Sequence, residues 1–234
     1  MKRKTKGLII IPARGGSKGI KNKNIIDVCG KPLIFYTINA ALKAKKNGVV
    51  DEVIISTDSK KIADVSNRLG VSVPFLRPKS ISGDKAKSID FMLHAIDYFE
   101  RKGIFYDYLV LLQPTSPLRN YDDIRGSVDI FLNNKGNSLI SVCKEDRVDE
   151  TELYYKKNDI GIPLSQNHNK GIRRQDLNDL FIRNAAIYIT STEYLKKEHK
   201  IISNNPLLFE MPQKRSLDID TKKDLEKLRN FLCQ

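Results

Sequence analysis

The feature that most constrains the fold is an alternation of two hydrophobic periods along the chain. Short apolar runs rich in β-branched residues occur at 7–12, 52–56, 108–112 and 139–142. Continuous apolar runs of this length are typical of strands buried on both faces. Between them, apolar residues recur every three or four positions, as on one face of an α-helix. Strands separated by helices require crossover connections, so we expect an α/β fold with a mostly parallel central sheet and helices on both faces.

Four helices are predicted between these strands, and a fifth at the end of the chain. The first begins near Pro32 and the second ends at Gly70, residue types that are favoured at the start and just after the end of a helix. The last helix carries Leu225, Leu228 and Leu232 at helical spacing. Residues 71–76 are a further strand candidate.

The alternation stops between residues 146 and 183, where charged and amide side chains dominate. A structureless loop of this length is uncommon inside a compact domain. We therefore expect one domain over residues 1–234, with 146–183 inserted as a hairpin-like excursion or a dimerisation arm. The sheet is expected to resume at 185–189, where apolar residues return.

Composition argues against several classes of protein. No run approaches the roughly 18 consecutive apolar residues of a membrane-spanning helix, so we expect neither a membrane protein nor a secreted one. The three cysteines, Cys29, Cys143 and Cys233, are far apart in the sequence. Their odd number and spacing predict three free thiols, no zinc site and a reducing, cytoplasmic location.

The formal net charge of +13 indicates a polyanionic partner. Nucleic acid, an anionic membrane surface and a small substrate such as a nucleoside triphosphate all fit that charge. The lysines occur in short runs spread along the chain, and most are expected on solvated faces. A nucleic-acid-binding module is a remote alternative, since it predicts one contiguous basic stripe.

The loop after the first predicted strand combines glycines with cationic side chains. Residues 13–24 contain three glycines and four cationic side chains. Ligands of open parallel sheets bind beyond the carboxyl ends of the strands, and glycines let backbone N–H groups approach an anion. Arg14, Lys18 and Lys23 can add charge-assisted hydrogen bonds to phosphate oxygens. A phosphate cradle is the favoured interpretation, and a flexible basic turn is the alternative.

A pair of carboxylates near the end of the chain is a candidate metal site. Asp218 and Asp220 flank Ile219, so an extended segment would put both carboxylates on one face. Mg²⁺ prefers one or two carboxylates together with substrate phosphates. The alternative is that Asp220 or Thr221 caps the last helix.

Two other polar segments are candidates for ligand recognition. Gln113 follows the strand 108–112 in a loop fixed by two prolines, where it could contact a ligand. A rigid turn without function is the alternative. Arg173 and Arg174 could bind a carboxylate bidentately or simply be exposed. The three histidines are not expected to be catalytic.

Taken in order, these segments resemble the CMP-sialic acid synthetases, also called acylneuraminate cytidylyltransferases. The resemblance covers nearly the whole chain. The matching segments are 11–19, 23–25, 30–33, 56–58, 76–78, 112–119, 174–176, 184–189 and 218–221.

The resemblance implies a Rossmann-like nucleotidyltransferase fold and a reaction. A cytidylyl group would pass from CTP to the anomeric hydroxyl of a nine-carbon 2-keto sugar acid, with Mg²⁺ as the cofactor. Arg14, Lys23 and Asp220 would be catalytic, and Asp218 and Asp220 would bind the metal. The implied CTP-binding residues are Ala13, Arg14, Gly15, Gly16, Ser17, Lys18, Lys23, Asn24, Arg77 and Ser88. The implied sugar-binding residues are Gln113, Arg174, Gln175, Asn184 and Tyr188.

The resemblance also implies a homodimer, in which the insert 146–183 reaches the neighbouring site. Departures from the family pattern bear on the sugar: Ala185 stands in place of a glycine and Asn178 in place of a proline. The insert also lacks a basic residue at 148–151. We therefore expect N-acetylneuraminic acid or, more in keeping with these departures, legionaminic acid. Pseudaminic acid ranks lower, because pseudaminate enzymes usually differ at 113–117, and an eight-carbon keto acid is a further alternative.

Overall fold

The computed structural model describes residues 5–16 and 19–233, and that part of the chain forms ten strands and six α-helices. The strands are β1 (Gly7–Pro12), β2 (Asp27–Val28), β3 (Lys31–Pro32), β4 (Glu52–Ser56), β5 (Tyr108–Leu112), β6 (Ser138–Glu145), β7 (Tyr154–Lys157), β8 (Ile160–Pro163), β9 (Leu180–Ser191) and β10 (Leu207–Glu210). The helices are α1 (Leu33–Lys46), α2 (Lys60–Arg68), α3 (Ser88–Glu100), α4 (Tyr121–Asn133), α5 (Thr192–Glu198) and α6 (Lys222–Leu232).

Six of the strands form the central sheet, in the order β10-β6-β9-β5-β1-β4. β1 is parallel to both of its neighbours, and β10 is parallel to β6. β9 runs antiparallel to both β5 and β6. The mostly parallel sheet predicted from the alternating periods is confirmed, and it places the carboxyl ends of β1, β4 and β5 at one edge.

Helices cover both faces of this sheet, as the sequence predicted. In β1, Ile9 and Ile11 pack into a cluster with α1 and α4, while Leu8 and Ile10 pack into a second cluster with α3. All four side chains have no exposed surface. A strand buried on both faces needs apolar residues at successive positions, which explains the continuous apolar run at 7–12.

A third, smaller apolar cluster joins the N-terminal part of the chain to its end. Ile20, Val28 and Leu33 pack there against Leu225 and Leu228 of α6. Ile219 is fully buried in the same cluster. This packing holds the segment before α6 against the loop that follows β1.

Two of the predicted strand positions need correction. Residues 71–76 form only two isolated bridges, Ile54 with Ser72 and Thr57 with Leu76, and no continuous strand. The sheet resumes at Leu180, five positions before the expected 185. The early part of β9 carries exposed and charged side chains, so a search for apolar runs misses it.

Most of the inserted arm is exposed. It contains the hairpin of β7 and β8, which pair antiparallel from Tyr154 with Pro163 to Lys157 with Ile160. Residues 154–163 of the segment 146–183 therefore form an antiparallel hairpin. No helix in the described residues is both long and apolar enough to cross a membrane.

The expectation of three free thiols is wrong. Cys29 and Cys233 form a disulfide, with their Cα atoms 5.5 Å apart, and only Cys143 is free. The two cysteines are 204 positions apart, so their spacing in the sequence did not indicate that they pair. The fold joins them by packing α6 against the short β2–β3 hairpin, so the cysteines give no support for a reducing compartment.

Candidate active site

A polar pocket of about 530 Å³ lies at the carboxyl ends of β1 and β5. Both strands deliver a loop into it, as expected for a ligand site of a largely parallel sheet. Of the residues singled out from the sequence, it is lined by Arg14, Lys23, Asn24, Arg77, Ser88, Gln113, Asp218 and Asp220. Residues far apart in the sequence therefore meet in one cavity.

The loop after β1 is held in place from several sides. The Gly15 N–H donates to Asp58 Oδ1 at 2.8 Å, and Asn24 Nδ2 donates to the Arg14 carbonyl at 3.1 Å. Arg14 Nη1 donates to Asp84 Oδ1 at 2.6 Å. These contacts hold the Arg14 guanidinium and the backbone at Arg14 and Gly15, on the described stretch of the loop directly after β1.

Lys23 links this loop to the carboxylate segment. Its Nζ donates to the Ile219 carbonyl at 2.8 Å and to Asp220 Oδ1 at 3.0 Å. Gly19 approaches the same segment so closely that an added Cβ would lie 2.7 Å from the Asp220 backbone oxygen. The loop and the carboxylates therefore form one site.

The two carboxylates differ in their surroundings. Asp220 is exposed, whereas Asp218 is half-buried and its Oδ1 has no hydrogen-bond partner within the described residues. Burial raises the pKa of Asp218, while a hydrogen bond from Thr115 acts in the opposite direction. A buried, unpartnered carboxylate oxygen beside a second carboxylate fits a hard cation, which binds oxygen ligands.

The capping alternative is resolved in favour of Thr221. Its side chain accepts from the Asp224 N–H at the start of α6, and the Asp224 carboxylate accepts from the Thr221 N–H. Asp220 precedes the cap and faces the pocket. The segment thus begins a helix and also lines the pocket.

Arg77 forms a buried wall of the pocket. Only 6% of the residue is exposed, and its Nε and Nη2 donate to the side chain and carbonyl of Ser56. Its guanidinium lies 4.4 Å from the centre of the Phe91 ring. Burial lowers the pKa of Arg77 to about 10, so the group stays charged at neutral pH.

Comparison with known proteins identifies the family of the chain. The model of the family described as cytidylyltransferase matches residues 8–234. The chain belongs to the cytidylyltransferase family. The pseudaminic acid cytidylyltransferase of Campylobacter jejuni is 35% identical over 94% of both chains. The CMP-N,N′-diacetyllegionaminic acid synthase of Legionella pneumophila is 33% identical over 93% of this chain and 92% of its own.

The fold of this cytidylyltransferase is shared with solved structures. A structure described as CMP:2-keto-3-deoxy-manno-octonic acid synthetase complexed with CTP superposes with a TM-score of 0.74. It covers 98% of this chain and 99% of its own, at 18% sequence identity. The predicted nucleotidyltransferase fold and the resemblance on which it rested are confirmed.

Some residues predicted to bind CTP lie beside the pocket of the cytidylyltransferase. Ala13 is fully buried at the base of the loop, and Gly15 and Gly16 belong to the loop itself. Ser17 and Lys18 lie outside the described residues, so their assigned roles remain predictions.

The residues predicted to bind the sugar are less tightly grouped. Gln113 lines the pocket, whereas Gln175 borders a separate groove beside Lys144 and Asp149. The side chain of Arg174 lies outside the described part of the chain. Tyr188 is half-buried in β9, where burial raises its pKa.

Asn184 is a buried residue of β9 that contacts β6 and the segment leading to Asp218. Its Nδ2 donates to Ser216 Oγ at 2.9 Å, and its Oδ1 accepts from Ser141 Oγ at 2.6 Å. Ala185, the next residue, has a φ of +59°, so it adopts with a methyl group the left-handed conformation that favours glycine. The structure therefore shows Asn184 engaged within the protein.

Among the pocket residues that were not predicted as site residues, three have side chains that contact a predicted one. Asp84 holds Arg14, Phe91 lies against Arg77, and Thr115 contacts Asp218. Thr115 could have been found, because it belongs to the proline-fixed loop after β5. Asp84 lies in a turn before α3 and Phe91 lies on α3. Helical periodicity accounts for Phe91 only as a core residue and does not cover Asp84.

Proposed function

We propose that this cytidylyltransferase couples CTP to a nine-carbon 2-keto sugar acid. The anomeric hydroxyl oxygen would form a bond to the α-phosphorus, the bond from that phosphorus to the oxygen bridging to the β-phosphorus would break, and pyrophosphate would leave. The hydroxyl proton would pass to solvent. The observation that carries the proposal is the meeting of the basic loop, the carboxylate pair and Gln113 in one pocket.

The basic loop suits the triphosphate of CTP. Phosphoryl-type transfer needs chiefly positioning and neutralisation of charge, because the transition state spreads negative charge over the phosphate oxygens. Arg14 is oriented by Asp84, and Lys23 by Ile219 and Asp220. The cytidine is proposed to bind against Arg77, Asn24 and Ser88, which line the pocket. Arg77 is buried and has one face against Phe91.

The carboxylate pair suits Mg²⁺. The described residues hold no group of three or more histidine, cysteine, aspartate or glutamate side chains that could bind a metal. Two carboxylates suffice for Mg²⁺ when phosphates complete its ligands, and the unpartnered Asp218 Oδ1 is available. Bound there, Mg²⁺ would neutralise phosphate charge and lower the pKa of an oxygen nucleophile. Asp220 would also keep Lys23 directed at the site.

The identity of the sugar is the finer part of the proposal. Sequence reasoning favoured N-acetylneuraminic or legionaminic acid over pseudaminic acid. The relatives named for pseudaminic and diacetyllegionaminic acids have similar identities of 35% and 33%, so identity supports the nine-carbon class without ranking its members. All three acids therefore belong in the test.

The proposal is tested by pyrophosphate release from CTP. The arms are N-acetylneuraminic, legionaminic and pseudaminic acids, an eight-carbon keto acid and no acid, each with CTP or ATP and with Mg²⁺ or EDTA. We expect release with CTP, not with ATP, and only with Mg²⁺ and a nine-carbon acid. Release with the eight-carbon acid alone would transfer the assignment to that substrate. No release in any arm from folded protein would reject the function.

We also propose that the chain forms a homodimer through the arm 146–183. Large apolar side chains of the β7–β8 hairpin are exposed: Tyr155 at 67% and Ile160 at 69%. Exposed apolar residues this concentrated mark an interaction surface. The proposed occupant is a second copy of the chain, as the family resemblance implies.

A further inference from the structure

Arg119 is an arginine buried in the loop beyond Gln113 and outside the pocket. Only 2% of the residue is exposed. Its Nε and Nη2 have no hydrogen-bond partner within the described residues. Burial lowers the pKa of Arg119, and Asp123 only partly offsets that effect, since the carboxylate of Asp123 is bound by Arg215. Burying a cation without a directly paired carboxylate is unfavourable, so the position calls for an explanation.

The hydrogen bonds of Arg119 join two segments at the site. Its Nη1 donates to the Ala186 carbonyl at 2.9 Å and to the Gln113 carbonyl at 3.3 Å. Gln113 lines the pocket. Ala186 lies in β9, two residues before Tyr188. One guanidinium group therefore ties the loop after β5 to the strand that carries other residues predicted to bind the sugar.

The part of β9 that Arg119 contacts is irregular. Along β6, Ile140 pairs with Tyr188 and Val142 with Arg183, so Ser141 is the single β6 residue opposite residues 184–187 of β9. We call residues 184–187 the β9 bulge. Ala185, within this bulge, has a φ of +59°. A left-handed alanine persists only where its surroundings impose the conformation, and such positions cluster at functional sites.

The β9 bulge is held on its other side by Ser141. Ser141 Oγ accepts from the Ile187 N–H at 2.8 Å and donates to Asn184 Oδ1 at 2.6 Å. Arg119 contacts the β9 bulge from the opposite side, from the loop between β5 and α4 (residues 113–120), which we call the Gln113 loop. Burial lowers the pKa of Arg119 to about 9, so the group is charged at neutral pH and its hydrogen bonds are charge-assisted.

We propose that Arg119 is a positioning residue, which holds the Gln113 loop and the β9 bulge together and so shapes the subsite for the sugar acid. It acts through the carbonyl groups of Gln113 and Ala186 and does not itself contact a substrate. The part that concerns the sugar rests on the proposed function. Displacing a positioning contact by about 1 Å can cost about 100-fold in rate.

The test compares Arg119→Met, Arg119→Lys and a control, Ile96→Val, whose site lies in the apolar cluster around α3. We expect Arg119→Met to raise the KM for the sugar acid about 10-fold or more while the KM for CTP stays within about 2-fold. Arg119→Lys keeps the charge but not the planar fork, so it should lose less. Ile96→Val should lower Tm without changing either KM.

A second measurement does not depend on activity. Amide hydrogen exchange at Ala186 and Ile187 should be faster in both Arg119 variants than in the wild type, and unchanged in Ile96→Val. Should Arg119→Met fail to fold, Arg119→Lys carries both measurements. A lower Tm with unchanged sugar KM and unchanged exchange would overturn the proposal and leave Arg119 a purely structural residue.

Failure of the inference can be told apart from failure of the proposed function. A wild-type protein that releases no pyrophosphate with any acid rejects the function, and with it the sugar part of the inference. An active wild type whose Arg119 variants keep the same sugar KM rejects the inference alone.

Discussion

At the scale of single residues, Asp220 should be the most sensitive carboxylate. It lines the pocket and holds Lys23 at 3.0 Å. We expect Asp220→Asn to lose at least about 100-fold in kcat, since removing one electrostatic group from a polar transition state typically costs 10²- to 10³-fold. The measurement is pyrophosphate release at saturating CTP and Mg²⁺. Asp122→Asn is the matched control, because Asp122 is exposed at the start of α4, away from the residues that line the pocket. Near wild-type turnover of Asp220→Asn would remove Asp220 from this role.

Gly19 should be intolerant of even a methyl group. Its Cβ would lie 2.7 Å from the Asp220 backbone oxygen, so one of two backbone segments must move. We expect Gly19→Ala to lower kcat/KM about 10-fold or more, because the shift separates the loop from the carboxylates. In Gly136→Ala the close contact is instead the flexible side chain of Leu207. Steady-state kinetics of both variants should show the loss in Gly19→Ala alone.

Local sequence patterns identified much of this site because its loops follow strands. The loop 13–24 and Gln113 each come directly after an apolar run, and strand ends are where ligands of such sheets bind. Asp84 and Phe91 were not found, because their contacts with Arg14 and Arg77 join segments that are far apart in the sequence or on different elements. Asn184 lies in a motif, yet only the packing reveals its bonds to Ser141 and Ser216.

At the scale of elements, the start of α6 should depend on its cap. Thr221 and Asp224 exchange hydrogen bonds there, and those from Thr221 lower the pKa of Asp224. We expect Thr221→Ala to reduce the free energy of unfolding by about 1 kcal/mol. A depressed folded-state pKa means that the contribution of Asp224 is present above its unfolded pKa, near 4, and is lost as the pH falls.

Urea unfolding of wild type and Asp224→Asn at pH 7 and pH 3 measures this contribution. The difference between the two proteins should be largest at pH 7 and shrink at pH 3. If the two proteins differed in free energy of unfolding by the same amount at both pH values, the charge of Asp224 would not stabilise the start of α6.

The elements show where sequence reasoning works and where it fails. Helices such as α3 and α4 follow from periodicity, because each buries one face on the sheet. The first residues of β9 are exposed or charged, and residues 71–76 lack the pairing partners of a full strand. Pairing across the sheet is a long-range property that no local pattern records.

At the scale of the whole molecule, the arm 146–183 should decide the oligomeric state. Ile160 is 69% exposed at the tip of the hairpin. We expect wild type to elute at twice the monomer mass in size exclusion with light scattering, and Ile160→Asp to shift towards the monomer. Leu132→Asp, which alters an exposed apolar residue of α4, should remain dimeric. A monomeric wild type at micromolar concentration would reject the dimer.

The disulfide between Cys29 and Cys233 should stabilise the whole chain. It ties residues 204 positions apart, so reduction releases a long loop in the unfolded state. We expect Cys233→Ser to lower the free energy of unfolding by about 2–4 kcal/mol, the usual range for a native disulfide. Cys29 has a φ of +53° in the turn between β2 and β3, a conformation in which cysteine is uncommon.

Thiol titration and urea unfolding check this prediction together. Denatured protein should show one reactive thiol without reductant and three after reduction, because only Cys143 is free. Cys143→Ser is the matched control and should leave the urea midpoint unchanged, whereas reductant should lower the midpoint of the wild type. Thr221, the residue after Asp220, caps α6, so the turnover of Cys233→Ser should also show whether Asp218 and Asp220 depend on the anchored end of α6. Three reactive thiols without reductant, with an unchanged midpoint, would contradict the pairing.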